Sequence, residues 1–382
     1  MLHIGGQATR GQRLRGRTLH RALLGLGLTA VIASGCAANP DGSDPGSPPV
    51  VPESVPVTTV DTPPTTAAPA PGGGGTATTF RSATAPPSVG DCTLHPQDHF
   101  LNATNIDTLA VHPRSAAWLA SIGGDSATLK FPTSRIWESA RSGMPVNVVD
   151  SRIIGFTEVA LNPWGSSRSY RGPYPIPPSP QVQGHPSAQW DKHLLIIDVA
   201  DCSAYELIQY DPVLAKLTGI HSALSGAHYP LDTTDYPYLT TNAPQTPMIG
   251  QYVMRSEVDA GDVSHAIGFC SDRISTEHQW PARRSDGKVS SPDAMPMGTW
   301  IRLRADASTK GFGPGASTVA RALREHGAIL TDTCSHPFHL MAENSGEWND
   351  DDLQALRSLS ADDFEVVDTR AMQAAAGSHR IR

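Results

Sequence analysis

The chain has 382 residues, with 34 glycines, 33 prolines, a charged fraction of 17% and a formal net charge of −8. Its apolar fraction of 39% is low for a fully packed chain, so part of it is expected to lie outside any core. The acidic balance excludes nucleic acid as a partner, because an acidic surface repels phosphate backbones.

Residues 1–36 have the pattern of a bacterial lipoprotein signal. Arginines at 10–21 precede an apolar run over 22–32, and small residues then lead to Cys36. In lipoproteins a cysteine at this place receives a diacylglycerol and becomes the mature N-terminus. Ala33 stands where this motif usually has leucine, and the alternative is an ordinary signal peptide with a chance cysteine. We expect Cys36 to be lipidated.

Residues 37–90 are dominated by Pro, Thr, Ser, Ala, Gly and Val. Such a composition buries too little apolar surface to offset the entropy lost on ordering, so this segment is predicted to be disordered. Its prolines keep it extended, which suits a tether that holds a domain away from a membrane. The predicted location is therefore extracytoplasmic, on the outer face of the cell membrane.

Residues 91–370 are predicted to form one mainly β globular domain, followed by a disordered tail at 371–382. Short segments rich in Val, Ile, Tyr and Phe predict strands. These segments are 146–150, 193–199, 205–210, 250–258, 264–269 and 299–306. Helices are predicted at 113–122, at 317–326 and directly after Asn349. Many short strands with two or three short helices favour a β-sandwich that resembles a jelly roll.

Four cysteines lie in the predicted domain, namely Cys92, Cys202, Cys270 and Cys334. In an oxidising compartment an even number of cysteines predicts two disulfides. The sequence leaves the three possible pairings open, and free buried thiols are the alternative.

Two histidine clusters contain metal-ligand residue types. Cys334, His336 and His339 could bind zinc only through a thiolate, and a disulfide uses that sulfur first. His95 and His99 are four residues apart, but the intervening proline disfavours the helix that would align them. We therefore expect no metal at either cluster.

Acidic residues near the C-terminus offer a third metal-like cluster. Asn344, Glu347 and residues 349–352 could provide calcium ligands. Capping of the helix after Asn349 accounts for the same acids, because carboxylates stabilise a helix N-terminus. The sequence contains no phosphate-binding glycine loop or other cofactor motif, so no cofactor is expected.

Charged side chains on the predicted strands are the remaining candidates for catalysis, since no nucleophile elbow or His-Glu-x-x-His helix occurs. Glu206 and Glu257 are predicted to be an acid–base pair, with His193 or His265 assisting. Carboxylates on the concave face of a sandwich are typical of glycan-processing domains. In the structural alternative, the four side chains point into separate ion pairs.

Aromatic side chains in the predicted loops would suit stacking against sugar rings. They are Trp164, Tyr170, Tyr174, Trp190, Tyr229, Tyr236 and Tyr238. Core packing is the alternative role for each of them.

Several motifs occur in one order along the predicted domain. They are VHPRSAAWLASIG (111–123), GPYPIP (172–177), DKHLLIIDVADCSAYEL (191–207), EVDAGDVSHAIGF (257–269), WPAR (280–283), PMGTWIRLRA (296–305) and WNDDDLQAL (348–356). This combination resembles a family of secreted bacterial and fungal proteins. The resemblance covers nearly all of the predicted domain but implies no particular activity.

The resemblance implies which positions matter. The family pattern is kept at Tyr174, His193, Asp198, Tyr205, Glu206, Glu257, His265, Arg302 and Asp332. Among these, Tyr174 and Tyr205 are expected to contact substrate and Arg302 to hold an anionic group. The chain departs from the pattern at 167–171, where the family has an acidic stretch, and around 231–238. A member that lost catalytic acids there would retain binding alone.

The sequence supports two functions from different classes. The first is an envelope-anchored enzyme that acts on polysaccharide by hydrolysis or elimination. The second is a non-catalytic surface lipoprotein that binds glycan or another envelope component. A purely structural lipoprotein is a third alternative.

Overall fold

The computed structural model describes residues 81–82, 86–137, 140–163, 165, 168–186 and 190–382. The predicted lipoprotein signal with Cys36, most of the predicted tether and Trp164 lie outside the described residues. Strands hold more residues than helices, 28% against 21%, which confirms the mainly β prediction at this coarse level.

Nineteen short strands are present among the described residues. In chain order they are β1 (Arg81–Ser82), β2 (Ser88–Val89), β3 (Cys92–Thr93), β4 (Ala103–Thr104), β5 (Ile136–Trp137), β6 (Ala140–Arg141), β7 (Val146–Val149), β8 (Ala160–Leu161), β9 (Leu194–Asp198), β10 (Ser203–Ile208), β11 (Ser222–Ala223), β12 (Ser225–Pro230), β13 (Ile267–Ser271), β14 (Ile274–His278), β15 (Met295–Met297), β16 (Trp300–Leu303), β17 (Ala328–Thr333), β18 (His339–Leu340) and β19 (Phe364–Val366).

The described residues also form six α-helices and six 3-10 turns. The α-helices are α1 (Ser115–Ser121), α2 (Ser151–Ile154), α3 (Pro212–Thr218), α4 (Arg255–Ala260), α5 (Pro314–Glu325) and α6 (Asp350–Leu353). The 3-10 turns are Phe100–Asn102, Ile106–Thr108, Gly124–Ser126, Gln354–Ser358, Ala361–Asp363 and Thr369–Ala371.

Two larger sheets organise the described domain. The four-stranded sheet has the order β12-β10-β9-β7, and the five-stranded sheet has the order β18-β13-β17-β16-β19. Each contains one parallel pair, β7 with β9 and β13 with β17. A jelly roll is built from antiparallel strands, so these sheets differ from it in that respect. The packing of the sheets as a sandwich stays a prediction.

Five of the predicted strands are present with shifted ends, as β7, β9, β10, β13 and β16. Every residue of β9 and of β13 is buried. In β16 all four residues, Trp300, Ile301, Arg302 and Leu303, are buried. Other parts of the chain cover both faces of this central strand.

The segment 250–258 was predicted to be a strand, and this prediction is wrong. Only Val253 forms a strand-like bridge, to Ala342, and the helix α4 begins at Arg255. The Glu257 carboxylate accepts a hydrogen bond of 2.9 Å from the backbone N–H of Met254. An acid in the first turn stabilises a helix N-terminus, and this local effect overrides the β-prone composition.

The predicted helices are confirmed as α1, α5 and α6. Helix α5 buries Ala316, Val319, Ala320 and Leu323, which lie on one face at helical spacing. The positive φ of 71° at Gly327 ends the helical stretch where the glycine predicted it.

Both ends of the domain extend beyond the predicted boundaries. In the predicted tether, strands β1 and β2 pair with β4 and β3. At the other end, residues 371–382 were predicted to be a disordered tail, but His379 and Ile381 are buried. The Ile381 backbone N–H donates to the carbonyl of Asp98 at 2.8 Å. Short apolar side chains among polar neighbours gave too weak a signal for this packing.

Two disulfides join the four cysteines of the domain, which confirms their oxidation. Cys92 bonds to Cys202, and Cys270 bonds to Cys334. The second bond links β13 to the residue that directly follows β17. The pairing resolves what the sequence left open.

Four clusters of buried apolar side chains form the core. The largest packs α1 and α5 against the five-stranded sheet. A second lies around Phe100 and Trp300. The remaining two cover opposite faces of the four-stranded sheet, with Ile196 and Tyr205 in one and Ile197 and Ala204 in the other.

Candidate functional site

Glu206 lies in the centre of β10 and is fully buried. Its carboxylate accepts four hydrogen bonds, from the Tyr229 hydroxyl (2.7 Å), the Thr241 backbone N–H (2.7 Å), the Thr241 hydroxyl (2.9 Å) and the Met248 backbone N–H (3.1 Å). Burial raises the pKa of Glu206, and these donors oppose that rise. A carboxylate with four donors holds the segment 241–248 on the sheet and leaves little capacity for a substrate.

His193 reaches the same network through Thr241. The Nδ1 atom of His193 lies 3.3 Å from the Thr241 hydroxyl oxygen. Burial lowers the pKa of His193 to about 4, so its ring is neutral near pH 7. The structure thus brings His193 and Glu206 together, two of the four residues predicted to be catalytic.

Glu257 and His265 form a separate buried pair. The Glu257 carboxylate lies 3.2 Å from Nε2 of His265, and Nδ1 of His265 lies 2.9 Å from the carbonyl of Ala266. A carboxylate and a carbonyl both accept, so this geometry favours the imidazolium form, in which both ring nitrogens donate. Burial lowers the pKa of His265, but the Glu257 charge and the two hydrogen bonds outweigh it and the pKa is raised.

The structure does not bring Glu206 and Glu257 together in one open cleft. No hydrogen bond joins the two networks in the described part of the chain. The Glu257–His265 pair borders a crevice of about 20 Å³ with apolar lining from Ile197 and Ile249, which holds one water at most. His193 and Glu206 therefore belong to one network, and Glu257 and His265 to another. The catalytic assignment of the four residues stays a prediction.

The residues predicted to contact substrate also have structural contacts. The Tyr174 hydroxyl donates to the carbonyl of Tyr170, and the Tyr205 ring stacks on His228 with centroids 4.4 Å apart. Both tyrosines are buried in the core. Burial raises the pKa of each hydroxyl. Their role in binding substrate stays a prediction, since protein atoms cover both rings.

Arg302, predicted to hold an anionic group, is occupied by protein partners. Its Nε donates to Glu365 at 2.7 Å, and its Nη1 donates to the carbonyls of Ile106 and Leu109. The side chain is 9% exposed. The guanidinium therefore joins β16, β19 and the turn Ile106–Thr108.

Three carboxyls outside the predicted pair influence one another electrostatically, and hydrogen bonds through Thr333 link two of them. The Asp332 carboxylate on β17 accepts from the backbone N–H of Thr333 at 2.8 Å, and the Thr333 hydroxyl donates to Asp286 at 2.8 Å. Asp332 is partly accessible, whereas Asp191 and Asp286 are exposed. We call Asp191, Asp286 and Asp332 the acid cluster.

Two members of the acid cluster, Asp332 and Asp191, have raised pKa values. Burial, followed by the charges of Asp191 and Asp286, raises the pKa of Asp332 to about 8. Burial and the Asp286 charge also raise the pKa of Asp191. Asp332 is therefore protonated near neutral pH, which is the state that a general acid requires.

Two neighbouring polar groups lie close to the acid cluster. Burial raises the pKa of Tyr252, and the charges of Asp332 and Glu206 raise it further, while the nearby Gln251 amide lowers it. Gln251 is 1% exposed, yet neither amide atom has a hydrogen bond of good geometry. Buried amides without partners are uncommon in native structures.

Sequence reasoning identified Asp332 only through the family resemblance, and it missed Asp191 and Asp286. Asp191 directly precedes the His193 segment, but an exposed acid before a strand gives no signal of its own. The Thr333 hydroxyl connects Asp286 to β17, although the two lie far apart in the chain. Only the folded β17 reveals that contact.

The side chains of the metal-like histidine clusters are engaged by other protein groups. No group of three His, Cys, Asp or Glu side chains in the described ranges could hold a metal ion. Cys334 is in a disulfide, and the rings of His95 and His99 are stacked with centroids 4.2 Å apart.

Helix capping accounts for the acids near Asn349. The Asn349 side chain accepts from the Asp352 backbone N–H at 3.3 Å, and the Asp352 carboxylate accepts from Gly315 at the start of α5 at 2.7 Å. Asp350 accepts from the backbone and side chain of Ser134. These acids join two helices and a loop.

A second cleft has a volume of about 250 Å³. Arg141, Gln181, His185 and Asn344 are among the residues that line it. None of the predicted catalytic or substrate-binding side chains belongs to its lining.

No family model, curated protein or solved structure matches this chain. The resemblance to secreted bacterial and fungal proteins therefore stays a prediction. No helix in the described residues is long and apolar enough to span a membrane.

Proposed function

We propose that the domain hydrolyses polysaccharide at the acid cluster, with Asp332 as the proton donor. The observation that supports it is the Thr333 bridge, which fixes a half-buried carboxyl relative to an exposed one through two hydrogen bonds of 2.8 Å. Two carboxyls in unlike environments are what glycoside hydrolysis requires, one to donate a proton and one to remain ionised.

In the proposed reaction, Asp332 transfers its proton to the glycosidic oxygen as the bond between that oxygen and the sugar carbon breaks. Asp286, oriented by the Thr333 hydroxyl, stabilises the positive charge on the sugar or activates the water that adds to it. Asp191 contributes negative charge that keeps the proton on Asp332. No cofactor takes part in this scheme.

Hydrolysis fits the site better than elimination. Elimination from a uronic acid requires neutralisation of the substrate carboxylate next to the carbon that loses a proton. The charges that act on Asp332 are both negative, from Asp191 and Asp286, and they would repel that carboxylate.

An exposed tyrosine on a segment that contacts Arg283 supports a sugar ligand. Arg283, three residues before Asp286, donates to the carbonyl of Pro237 at 2.6 Å and lies over the Tyr236 ring at 4.9 Å. The next residue, Tyr238, is 75% exposed. An exposed tyrosine ring offers a flat apolar face on which a sugar can stack.

The second candidate is a non-catalytic glycan-binding domain. It is favoured by the protein contacts that occupy Glu206 and Glu257, the carboxylates predicted to be catalytic. In that case the acid cluster would bind sugar hydroxyls without transferring a proton.

We also propose that the two larger sheets pack against each other as a sandwich. One apolar cluster contains Ile197 and Ala204 from the four-stranded sheet, and Met341, next to β18 of the five-stranded sheet, packs against it. In such a sandwich, the acid cluster would lie in a cleft between the two sheets, where β17 meets the segment that enters β9.

The pH dependence of glycan cleavage tests the proposed mechanism. Incubation of the purified protein with neutral, amino and uronate glycans should release reducing ends from at least one non-uronate substrate. The rate is expected to fall as pH rises through about 8, because Asp332 acts only while protonated. Glycan binding by calorimetry without any reducing-end release would support the binding-only candidate instead.

We also propose that lipid at Cys36 anchors the protein to the outer face of the cell membrane. The basic stretch, apolar run and Pro/Thr-rich segment around this residue support the proposal. Replacement of Cys36 by Ser is expected to release the protein into the medium or to stall its processing, as measured by cell fractionation and intact mass. A membrane-bound variant of unchanged mature mass would contradict lipidation.

A further inference from the structure

A lysine and two histidines lie together beside β18, the edge strand of the five-stranded sheet. The Nζ atom of Lys130 lies 3.0 Å from Nδ1 of His336, and the ring centroids of His336 and His339 are 5.5 Å apart. All three residues are half-buried. We call Lys130, His336 and His339 the cationic site.

Backbone contacts hold the cationic site in place. The Lys130 backbone N–H donates to the carbonyl of Phe338 at 3.0 Å, and the Leu340 backbone N–H donates to the carbonyl of Lys130 at 2.9 Å. His336 lies in the short segment between β18 and Cys334, which is in a disulfide. The three side chains are therefore attached to a strand edge and to a segment that is fixed at both ends.

The cationic site offers hydrogen-bond donors to a ligand. An ammonium group only donates, so Nδ1 of His336 accepts from Lys130 and the ring proton of His336 is on Nε2. Within the described ranges, no protein group accepts from this Nε2–H or from the other two ammonium hydrogens, and none hydrogen-bonds to the His339 ring. Donors on three neighbouring side chains are therefore available.

The ammonium group of Lys130 has no carboxylate partner among the described residues, although the chain has 37 acids against 29 lysines and arginines. A half-buried charge is normally paired. Burial and the positive charges around it lower the pKa of His339 to about 4. These charges come from His336, Lys130 and Arg357, and all of them are positive. The surroundings of His339 therefore favour an anion.

One acid acts on the cationic site. Burial, followed by the charge of Lys130, lowers the pKa of His336, and the charge of Asp272 opposes this shift. Asp272 is exposed and lies 3.8 Å from the guanidinium of Arg273. Its charge is therefore balanced by its own neighbour, and the charge of Lys130 is not.

Strand pairing places the cationic site on the same sheet face as Asp332. His339 of β18 is opposite Cys270 of β13, and Cys270 is opposite Asp332 of β17. On the other side of His339, Lys130 forms a strand-like bridge. Residues opposite one another in neighbouring strands project from the same face. At about 4.8 Å between strands, His339 lies about 10 Å from Asp332 across the sheet. A short stretch of glycan can span this distance.

We propose that the cationic site is a subsite for a phosphate or sulfate ester on the glycan that the acid cluster cleaves. Ammonium and imidazole groups are single-point donors, and several of them around one ligand suit a tetrahedral oxyanion. A planar carboxylate pairs best with a guanidinium fork instead. The proposal deepens the proposed hydrolysis and rests on it for the glycan that carries the ester.

Histidine NMR signals of the purified protein test this subsite. Inorganic phosphate, glucose 6-phosphate and glucose 6-sulfate should each shift the ring signals of His336 and His339. They should also raise the pKa of both rings by about 1, because a bound anion stabilises imidazolium. Unmodified glucose should shift neither signal. His185, which is exposed and lines the second cleft, is the internal control and should not respond.

Replacement of Lys130 by Gln should weaken binding of glucose 6-phosphate by at least about tenfold, since it removes a charged hydrogen-bond donor. Without ligand, the same variant should raise the pKa of His336, because the Lys130 charge lowers it. That rise shows that the variant is folded and lacks only the contact. Lys310→Gln, at an exposed lysine, changes the net charge equally and should leave binding unchanged.

Absence of shifts at both histidines would overturn the proposal, as would equal weakening by Lys130→Gln and Lys310→Gln. Shifts with inorganic phosphate but with neither sugar ester would identify an adventitious ion only and would also overturn it. The probes contain no glycosidic bond, so their binding is read independently of cleavage. Shifts with the sugar esters in a protein that releases no reducing ends would contradict the proposed hydrolysis and support the subsite within the binding-only candidate.

Discussion

Replacement of Asp332 by Asn is expected to lower the rate of glycan hydrolysis by about 10²–10⁴-fold, the usual contribution of a general acid. Asparagine retains the shape of the protonated carboxyl, but its amide N–H is far too weak an acid to transfer a proton. Glycan binding should be retained, because the amide still offers a donor and an acceptor. Reducing-end release and calorimetric binding, measured on the same preparation, check both expectations.

The pH dependence of unfolding provides an internal control for Asp332→Asn. The Asp332 pKa is raised from 3.8 to about 8 in the folded chain, so the folded state binds more protons between these values. The contribution of Asp332 to stability is therefore present at low pH and lost as pH rises through about 8. The asparagine variant should lack this loss. Asp293→Asn, at an exposed ion pair with Arg114, should behave as the natural protein. A fully active Asp332→Asn would contradict the proposed mechanism.

Replacement of Glu206 by Gln is expected to lower the free energy of unfolding by about 2–5 kcal/mol, because buried donors would lose their acceptor. The NH2 group of glutamine would replace one oxygen and face the two donors now bonded to it, for example the Thr241 backbone N–H and hydroxyl. Chemical denaturation measures this loss. The segment 241–248 should become more accessible to proteolysis as well.

Tyr229→Phe is the matched control for Glu206→Gln. It removes one donor of 2.7 Å and leaves the carboxylate with three, so a smaller loss of about 1 kcal/mol is expected. If Glu206→Gln instead unfolds at the same denaturant concentration as the natural protein and loses all cleavage, Glu206 would return to the proposed catalytic role. The two outcomes separate a positioning carboxylate from a reacting one.

The sequence predicted the elements whose signals are local. Helix α5 follows from its apolar spacing and its terminal glycine, and α6 follows from the Asn349 cap and the acids after it. Strand β9 follows from an uninterrupted apolar run. The oxidation of the cysteines was predictable from their even number, although their pairing was not.

The candidate site was less predictable because its contacts are long-range. A glutamate on a strand can be catalytic or structural. The hydrogen bonds to the Glu206 carboxylate come from Tyr229, Thr241 and Met248, which are distant in the sequence. In the acid cluster, the Thr333 hydroxyl joins β17 to the distant Asp286, and Asp191 comes from a third segment. At 250–258 the composition favoured a strand, whereas the Glu257 cap directs the backbone into a helix.

The Cys92–Cys202 disulfide has a mechanical consequence. Cys92 lies in β3, near the N-terminal side of the domain, and Cys202 lies in the turn that joins β9 to β10. A pulling force on the chain before Cys92 is therefore transmitted through the disulfide to Cys202 before it can unfold the residues that follow Cys92. The load passes into the two central strands of the four-stranded sheet, whose backbone hydrogen bonds share it. Reduction of this bond would let the same force extract the segment after Cys92 strand by strand.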